Sequence, residues 1–187
     1  LQGCNIGLDG VVEQQDNYKS SGFKLAYRNI RFEGSHHAAV ATDQSVSALS
    51  QIPLQQLTEY ERSFFPADRS TFIRFWVNQP KSSALAIKQG EKLAGYGVIR
   101  ACHSGYKIGP LFADDVELAK ALLLALTATI PVGSRFYLDT PACNPAALKL
   151  ADQFEMQRVF ETARMYSGDI PEISINRTFG VTSFEIG

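Results

Sequence analysis

The chain has 187 residues, 45% of them hydrophobic and 20% charged, with a formal net charge of −1. That balance describes a folded globular protein with one good-sized core and room for part of a second, and it excludes a disordered polar chain. No basic block marks a nucleic-acid or anionic-membrane surface, and no apolar run approaches the roughly 20 residues a membrane helix needs.

The cysteines Cys4, Cys102 and Cys143 are odd in number and far apart, which argues against a disulfide framework and for a reducing, cytoplasmic setting. The sequence opens at Leu1 and moves directly into strand-like residues without a signal-peptide pattern, so it reads as a piece of something longer.

In chain order, residues 3–10 predict a strand, Glu13–Ser21 a short helix ended by Gly22, and Lys24–Phe32 a second strand. Gly34-Ser-His-His37 and the small residues after it read as a linker. Gln55–Phe64 and Ser70–Val77 predict helices, with Pro53 opening the first and Pro66-Ala-Asp68 between them. Leu85–Gln89 and Lys92–Cys102 form a hairpin around Gly90, followed by strand Tyr106–Phe112, helix Asp114–Thr129, strand Arg135–Thr140, helix Asn144–Phe154 and strand Arg158–Tyr166. After a loop containing Pro171, Arg177–Ile186 reads as a last strand.

Two parts of this order match. Gly7-Leu8-Asp9, Ser21-Gly22-Phe23 and Ala26-Tyr27-Arg28 resemble Tyr137-Leu138-Asp139, Phe154-Glu155-Met156 and Val159-Phe160-Glu161. A strand-helix-strand unit recurring after about 130 residues suggests two similar domains in tandem, the first lacking its front, although chance resemblance of such short units is common.

The stretch Tyr106–Leu126 runs from an apolar strand closed by Gly109-Pro110 into a helix with Val116, Leu118, Ala119, Leu122, Leu123 and Leu126 at helical spacing. Strand-to-helix turns hold phosphates because bare N–H groups and the positive end of the helix dipole attract anions. This turn has no glycine after Gly109 and carries Asp114, Asp115 and Glu117. Carboxylates beside a pyrophosphate would each cost roughly 1 kcal/mol at a wet surface. At a helix start the same residues stabilise by up to about 1 kcal/mol each, so capping is the favoured reading.

No metal site is expected. His36 and His37 are neighbours, His103 follows Cys102, and neither shows the returning spacing of ligands. Cys102 and His103, adjacent in a strand, would point to opposite faces and do not make a nucleophile pair.

The element order of residues 38–187 resembles the GNAT acetyltransferase superfamily. Its hallmark is a Q/R-x-x-G-x-G/A loop between the fourth strand and the next helix, which cradles the pyrophosphate of acetyl-CoA. Asp114-Asp-Val-Glu-Leu-Ala119 occupies that loop here: Asp114 stands for the arginine or glutamine, Glu117 for the first glycine, and only Ala119 fits. Lys120-Ala-Leu-Leu123 is typical of the helix behind it, and Asn144-Pro-Ala-Ala147 resembles the family's N-x-x-A helix start. Where the family often has a tyrosine that protonates the departing thiolate, this copy has Ala151. In the short copy, residues 18–23 fit the Y-x-x-x-G-F ending of that helix and put Tyr18 in the tyrosine's place.

The resemblance implies an α/β fold with a mixed, mostly antiparallel sheet flanked by helices. It makes residues 1–34 the C-terminal strand-helix-strand of a first GNAT domain and residues 38–187 a divergent second one. The implied activity is transfer of an acyl group from acetyl-CoA to a small amine, with the first domain's cofactor loop upstream of Leu1. In that scheme the second domain shapes or supports the site, and the alternative is a non-catalytic ligand-binding or interaction module. A homodimer is among the assemblies open to it, and neither nucleic acid nor membrane is a partner.

By the same resemblance Tyr18 is the candidate acid. Asp139, beside the splay between strands where the thioester lies, is a candidate base or a structural carboxylate. Ile108, Gly109, Leu111, Phe112 and Asn144 would line the cofactor. Tyr60, Glu61 and Arg69, on the two early helices, would orient the acceptor. The simpler reading of that last region is a core stripe of Phe64, Phe65, Phe72 and Trp76 with solvated charges.

Overall fold

The computed structural model of the chain describes residues 3–37 and 45–186. Strand β1 (Gly7–Val11) leads through helix α1 (Gln15–Ser20) to the long strand β2 (Lys24–Ser35). A short strand β3 (Val46–Ala48), which the sequence pattern does not announce, precedes helices α2 (Leu54–Glu61) and α3 (Ser70–Trp76). Strands β4 (Ser82–Gln89), β5 (Lys92–Ala101) and β6 (Tyr106–Ala113) form a meander that enters helix α4 (Val116–Thr127). Strand β7 (Arg135–Pro141), helix α5 (Pro145–Gln153), strand β8 (Gln157–Tyr166) and the short β9 (Thr178–Gly180) complete the order.

The helices start where the chain supplies caps. Asp115 accepts the Leu118 amide at 2.9 Å at the head of α4, and Asn144 accepts the Ala146 and Ala147 amides at 3.1 and 3.3 Å ahead of Pro145 in α5. Ala119, Leu122, Leu123 and Leu126 return every three or four residues and are fully buried, joining Leu138, Leu150 and Ala151 in the larger core on one face of the sheet. On the other face α2 and α3 cover a second core in which Phe64 stacks on Phe112 with centroids 4.0 Å apart.

One sheet runs in the order β1-β8-β2-β7-β6-β5-β4-β3, with β9 against β6 off this path. The architecture is therefore the expected mixed, mostly antiparallel sheet flanked by helices; only β6 and β7 pair in parallel among the described strands. The N-terminal segment is paired within the chain itself, β2 on both edges and β1 on one. Strand β2 inserts between β7 and β8, and β8 inserts between β1 and β2.

The register of this insertion has pseudo-two-fold symmetry about the facing pair Asn29 and Thr162. Asp9 faces Arg164 as Asp139 faces Arg31, and Leu8 faces Met165 as Leu138 faces Phe32. In the β2–β8 ladder Tyr27 faces Arg164 as Phe160 faces Arg31. The two irregularities match as well: Ala26 is left over between Leu25 and Tyr27, and Val159 between Arg158 and Phe160. These are the residues that the short sequence repeat equates.

Two boundaries differ from the sequence pattern, and a third cannot be compared. Gly34 and Ser35 belong to β2 rather than to a linker, and His36 is buried, its amide donating to the Ser134 carbonyl at 2.9 Å. The expected start of the second unit at Ala38 lies outside the described residues. Of the expected strand Arg177–Ile186 only Thr178–Gly180 makes strand pairs, although the chain stays buried through Phe184.

A filled strand gap and a junction cavity

Strands β6 and β7 pair only from Tyr106 to Ile108, opposite Phe136 to Leu138. Beyond that point the C-terminal segment takes up their free edges. Thr178 and Gly180 pair with Phe112 and Leu111 of β6, and the Val181 amide donates to the Asp139 carbonyl of β7 at 2.8 Å. Thr140 donates its hydroxyl to the Phe179 carbonyl at 3.1 Å, and Asn144 Nδ2 faces the carbonyls of Ile175, Asn176 and Thr178, the last at 2.9 Å. Gly109 lies against the carbonyls of Val181 and Thr182, where a Cβ would collide, while its own carbonyl accepts from Trp76 Nε1 at 2.9 Å.

The residues expected to line a cofactor thus do come together: Ile108, Gly109, Leu111 and Phe112 on β6, with Asn144 across the gap. What lies between them is the chain's own residues 178–182. Asn144 acts as a helix cap and a clamp on this segment, a role its N-x-x-A context only half announces.

The turn after β6 is committed in the same way. Asp114 receives the Tyr60 hydroxyl at 2.9 Å and the Arg177 guanidinium at the root of the tail, which also lies 5.0 Å over the Tyr60 ring. Burial, then the neighbouring Asp114, raises the Tyr60 pKa, so its phenol stays protonated. Desolvation works against the Arg177 charge, but Asp114 and Tyr60 together outweigh it and the pKa rises. Arg177 was not legible as a partner of a residue so distant in sequence.

Glu61 is buried on α2 and holds a second network. It accepts from Arg69 Nε at 2.6 Å and from the Tyr96 hydroxyl, and Arg69 reaches on to Thr182 Oγ1 at 3.1 Å. Burial, then Glu61, raises the Tyr96 pKa. Arg69 also lies over the Phe65 ring at 4.5 Å, so the charges of this region are not simply solvated. Of the three expected acceptor residues only Arg69 lines a large cavity; Tyr60 and Glu61 sit behind it.

Asp139 is wholly buried. Arg31 grips it with Nε and Nη2 at 2.7 and 2.9 Å, and Lys107 Nζ lies 2.6 Å away. The hydrogen bond to Asp139 raises the Arg31 pKa against its partial desolvation. Every described contact of this carboxylate ties strands together. Tyr18 stands apart from all these groups, on α1, its ring over Gly10 and edge-on to Phe23. A Cβ at position 10 would enter the Tyr18 ring, which explains the glycine where the other copy has Thr140.

The cavity has a volume of about 510 Å³ and lies where β1 and β2 meet the turn between α2 and α3 and the tail. Asp9, Asn29, Arg164 and Tyr166 form one wall; Phe64, Phe65 and Phe112 contribute to the other. Asp9 accepts from Arg164 at 2.7 Å, Asn29 at 2.6 Å and Thr162 at 3.2 Å, and Arg164 also donates to the Tyr166 hydroxyl at 3.0 Å. Desolvation opposes the Arg164 charge, but Asp9 and Tyr166 outweigh it and raise the pKa. Tyr27 on the same wall has its pKa raised by burial and by Tyr166. Asp9 entered the sequence analysis only through the repeat, and Asn29 and Arg164 carried no site signal.

No group of His, Cys, Asp and Glu among the described residues could hold a metal ion, and no helix among them is long and apolar enough to cross a membrane. Residues 57–180 match the family model for the acetyltransferase (GNAT) domain, and the chain belongs to this family. Among individual proteins it is similar to the holothin acyltransferase of Pseudoalteromonas sp. (strain SANK 73390), with 25% identity over 183 residues, 98% of this chain and 62% of that protein.

A Pyrococcus horikoshii protein assigned as an acetyltransferase has the same fold, with a TM-score of 0.81 at 24% identity over 98% of this chain and 60% of its own. A GCN5-related N-acetyltransferase from Sphaerobacter thermophilus aligns with a TM-score of 0.59 at 12% identity, over 93% of this chain and 62% of its own. The chain thus spans about three-fifths of the length of each of these three proteins.

Proposed function

We propose that this chain is part of an acyl-CoA-dependent N-acyltransferase that moves an acetyl group from acetyl-CoA to a small amine. Residues 1–34 belong to the unit that carries the chemistry, the end of a first GNAT domain, and residues 38–187 are a second GNAT domain that braces it and shapes the acceptor site. The observation that carries this division is the filled gap between β6 and β7. The stretch of β6 at Leu111 and Phe112 that would face a thioester pairs with the chain's own β9 instead, and the turn behind it holds Arg177 rather than a pyrophosphate.

In the reaction the nitrogen lone pair of the free amine forms the new bond to the thioester carbonyl carbon, the C–S bond breaks, and the thiolate leaves. Tyr18 gives its phenolic proton to the thiolate and regains one from water, while the attacking nitrogen loses its surplus proton to solvent. Asp139, locked under Arg31 and Lys107, is given a structural role and takes no proton. For residues 38–187 taken alone, the filled gap favours a non-catalytic ligand-binding or interaction module. The free cysteines fit a cytoplasmic protein.

Calorimetric titration of the 187-residue chain with acetyl-CoA tests the division: no binding is expected, and a micromolar site would overturn it. Tyr18→Phe, assayed with the upstream unit present, is expected to lower kcat by about a hundred-fold. An unchanged kcat with an unchanged pH profile would remove Tyr18 from the chemistry.

A further inference from the structure

Among the described residues, one buried polar side chain lining the cavity between the N-terminal segment and the α2–α3 turn has an atom without a hydrogen-bond partner. Asn29 is 1% exposed, and its Nδ2 donates to Asp9 Oδ1 at 2.6 Å. That contact fixes the amide, because the flipped form would set two oxygens against each other. The Asn29 side chain lines the cavity, and its Oδ1 is buried without a hydrogen-bond partner among the described residues. A buried acceptor in that state carries its full desolvation cost until a donor arrives.

The charges around it call for no ion. Asp9 and Arg164 compensate each other, with Thr162 and Tyr166 completing their bonds. On the opposite wall Arg69 is paired directly with Glu61 behind it, and Glu185, at the solvent end, accepts from Ser183 and lies within the field of the Arg31 charge. The rest of the lining mixes apolar groups, Phe64, Phe65, Pro66 and Phe112 among them, with polar Tyr27 and Thr182.

We infer that this cavity binds a neutral small molecule that donates an N–H to Asn29 Oδ1 and packs against the phenylalanines, and that the molecule is the acceptor of the acyl group. The second half of this statement rests on the acyltransferase reading above. An uncharged site suits that chemistry, since an amine attacks only as its free base, and a cavity without net charge gives an ammonium no compensation for leaving water.

The test needs no cofactor. Indole, 1-methylindole and tryptamine are titrated into the 187-residue chain and followed by calorimetry. Indole offers a neutral N–H, 1-methylindole lacks it, and tryptamine carries an ammonium at neutral pH. Indole is expected to bind about five-fold more tightly than 1-methylindole, as one hydrogen bond to a buried acceptor allows, and more tightly than tryptamine. In Asn29→Ala the two indoles should bind alike. Ala67→Trp, at the cavity wall on the exposed turn, should block both.

Should Asn29→Ala not fold, Asn29→Ser keeps a small polar group opposite Asp9 and replaces it. Absence of indole binding, a preference for tryptamine, or N–H discrimination that survives the Asn29 substitution would each overturn the inference. The two proposals also fail separately. N–H discrimination that depends on Asn29, found together with a Tyr18→Phe enzyme of full activity, leaves the pocket standing and removes the assigned mechanism; the converse removes only the pocket.

Discussion

Asp9 and Asp139 stand at equivalent points on either side of the Asn29–Thr162 pair, and each holds the arginine that faces it across an antiparallel ladder, at 2.7 Å in both cases. Their surroundings differ. Beside Asp139 the sheet continues into β6, Lys107 adds a second cation, and residues 178–182 fill the strand gap. Phe184 then lies over both cations, 4.6 Å from Arg31 and 5.1 Å from Lys107. Beside Asp9 no second cation stands among the described residues; the carboxylate takes two neutral donors instead and borders the cavity. One frame, used twice, has been closed on one side and left open on the other. The tail makes the difference, since it packs into one half and only walls the other.

Removing the two carboxylates in turn tests this contrast most severely. Asp139→Asn leaves Arg31 and Lys107 facing each other in a site where the lysine side chain is 7% exposed, and a loss of about 3–5 kcal/mol is expected from such stranded charge. Asp9→Asn strands Arg164 alone, which keeps the Tyr166 hydroxyl, so the loss should fall at or below the lower end of that range. Urea denaturation of both variants reads the difference. Equal losses would mean that Lys107 adds nothing and that the two sites are energetically the same.

A smaller effect is expected from Asn144→Ala, which removes the cap of α5 and the clamp on the tail together. About 1–2 kcal/mol is expected for the cap and the lost bonds. The informative readout is hydrogen exchange. The Val181 amide should lose protection as the tail loosens, while amides of the β1–β8 ladder keep theirs. Loss of protection in both places would show that the tail supports the whole sheet rather than one half of it.

Much of the frame was legible in the sequence, and the residues show why. The helical spacing of Leu122, Leu123 and Leu126 and the caps Asp115 and Asn144 are local signals, and the elements they announce are present. The matched stretches around Asp9 and Asp139 led to a symmetry that the ladders reproduce residue by residue.

The insertion of β2 between β7 and β8 was not legible, because strand alternation says which face a residue takes but not which strand lies alongside. The tail misled for a related reason. Phe179 and Val181 alternate as in a strand, with Phe184 beyond them, yet this segment is buried in filling a gap whose walls are remote in sequence. Asn29 was silent for the same cause: an amide becomes notable only when the fold buries it without a partner for its oxygen.

The smallest effect concerns the point where the closed half is latched. Arg177 and Asp114 are partly exposed, with side-chain accessibilities of 26% and 40%, so solvent screens their attraction and the pair should contribute only about 0.5–1 kcal/mol. A double-mutant cycle with Asp114→Ala and Arg177→Ala isolates that coupling, and raising the salt concentration should shrink it. Tyr60 distinguishes a latch from a bare ion pair, because its hydroxyl also donates to Asp114. Tyr60→Phe should weaken the measured coupling if the phenol holds the carboxylate toward Arg177, and should leave it unchanged if the guanidinium alone sets the geometry. Coupling that is absent in the cycle and insensitive to salt would mean that β9 is held by the strand pairs and Asn144 without help from the turn. The acidic residues at the head of α4 would then be caps and nothing more.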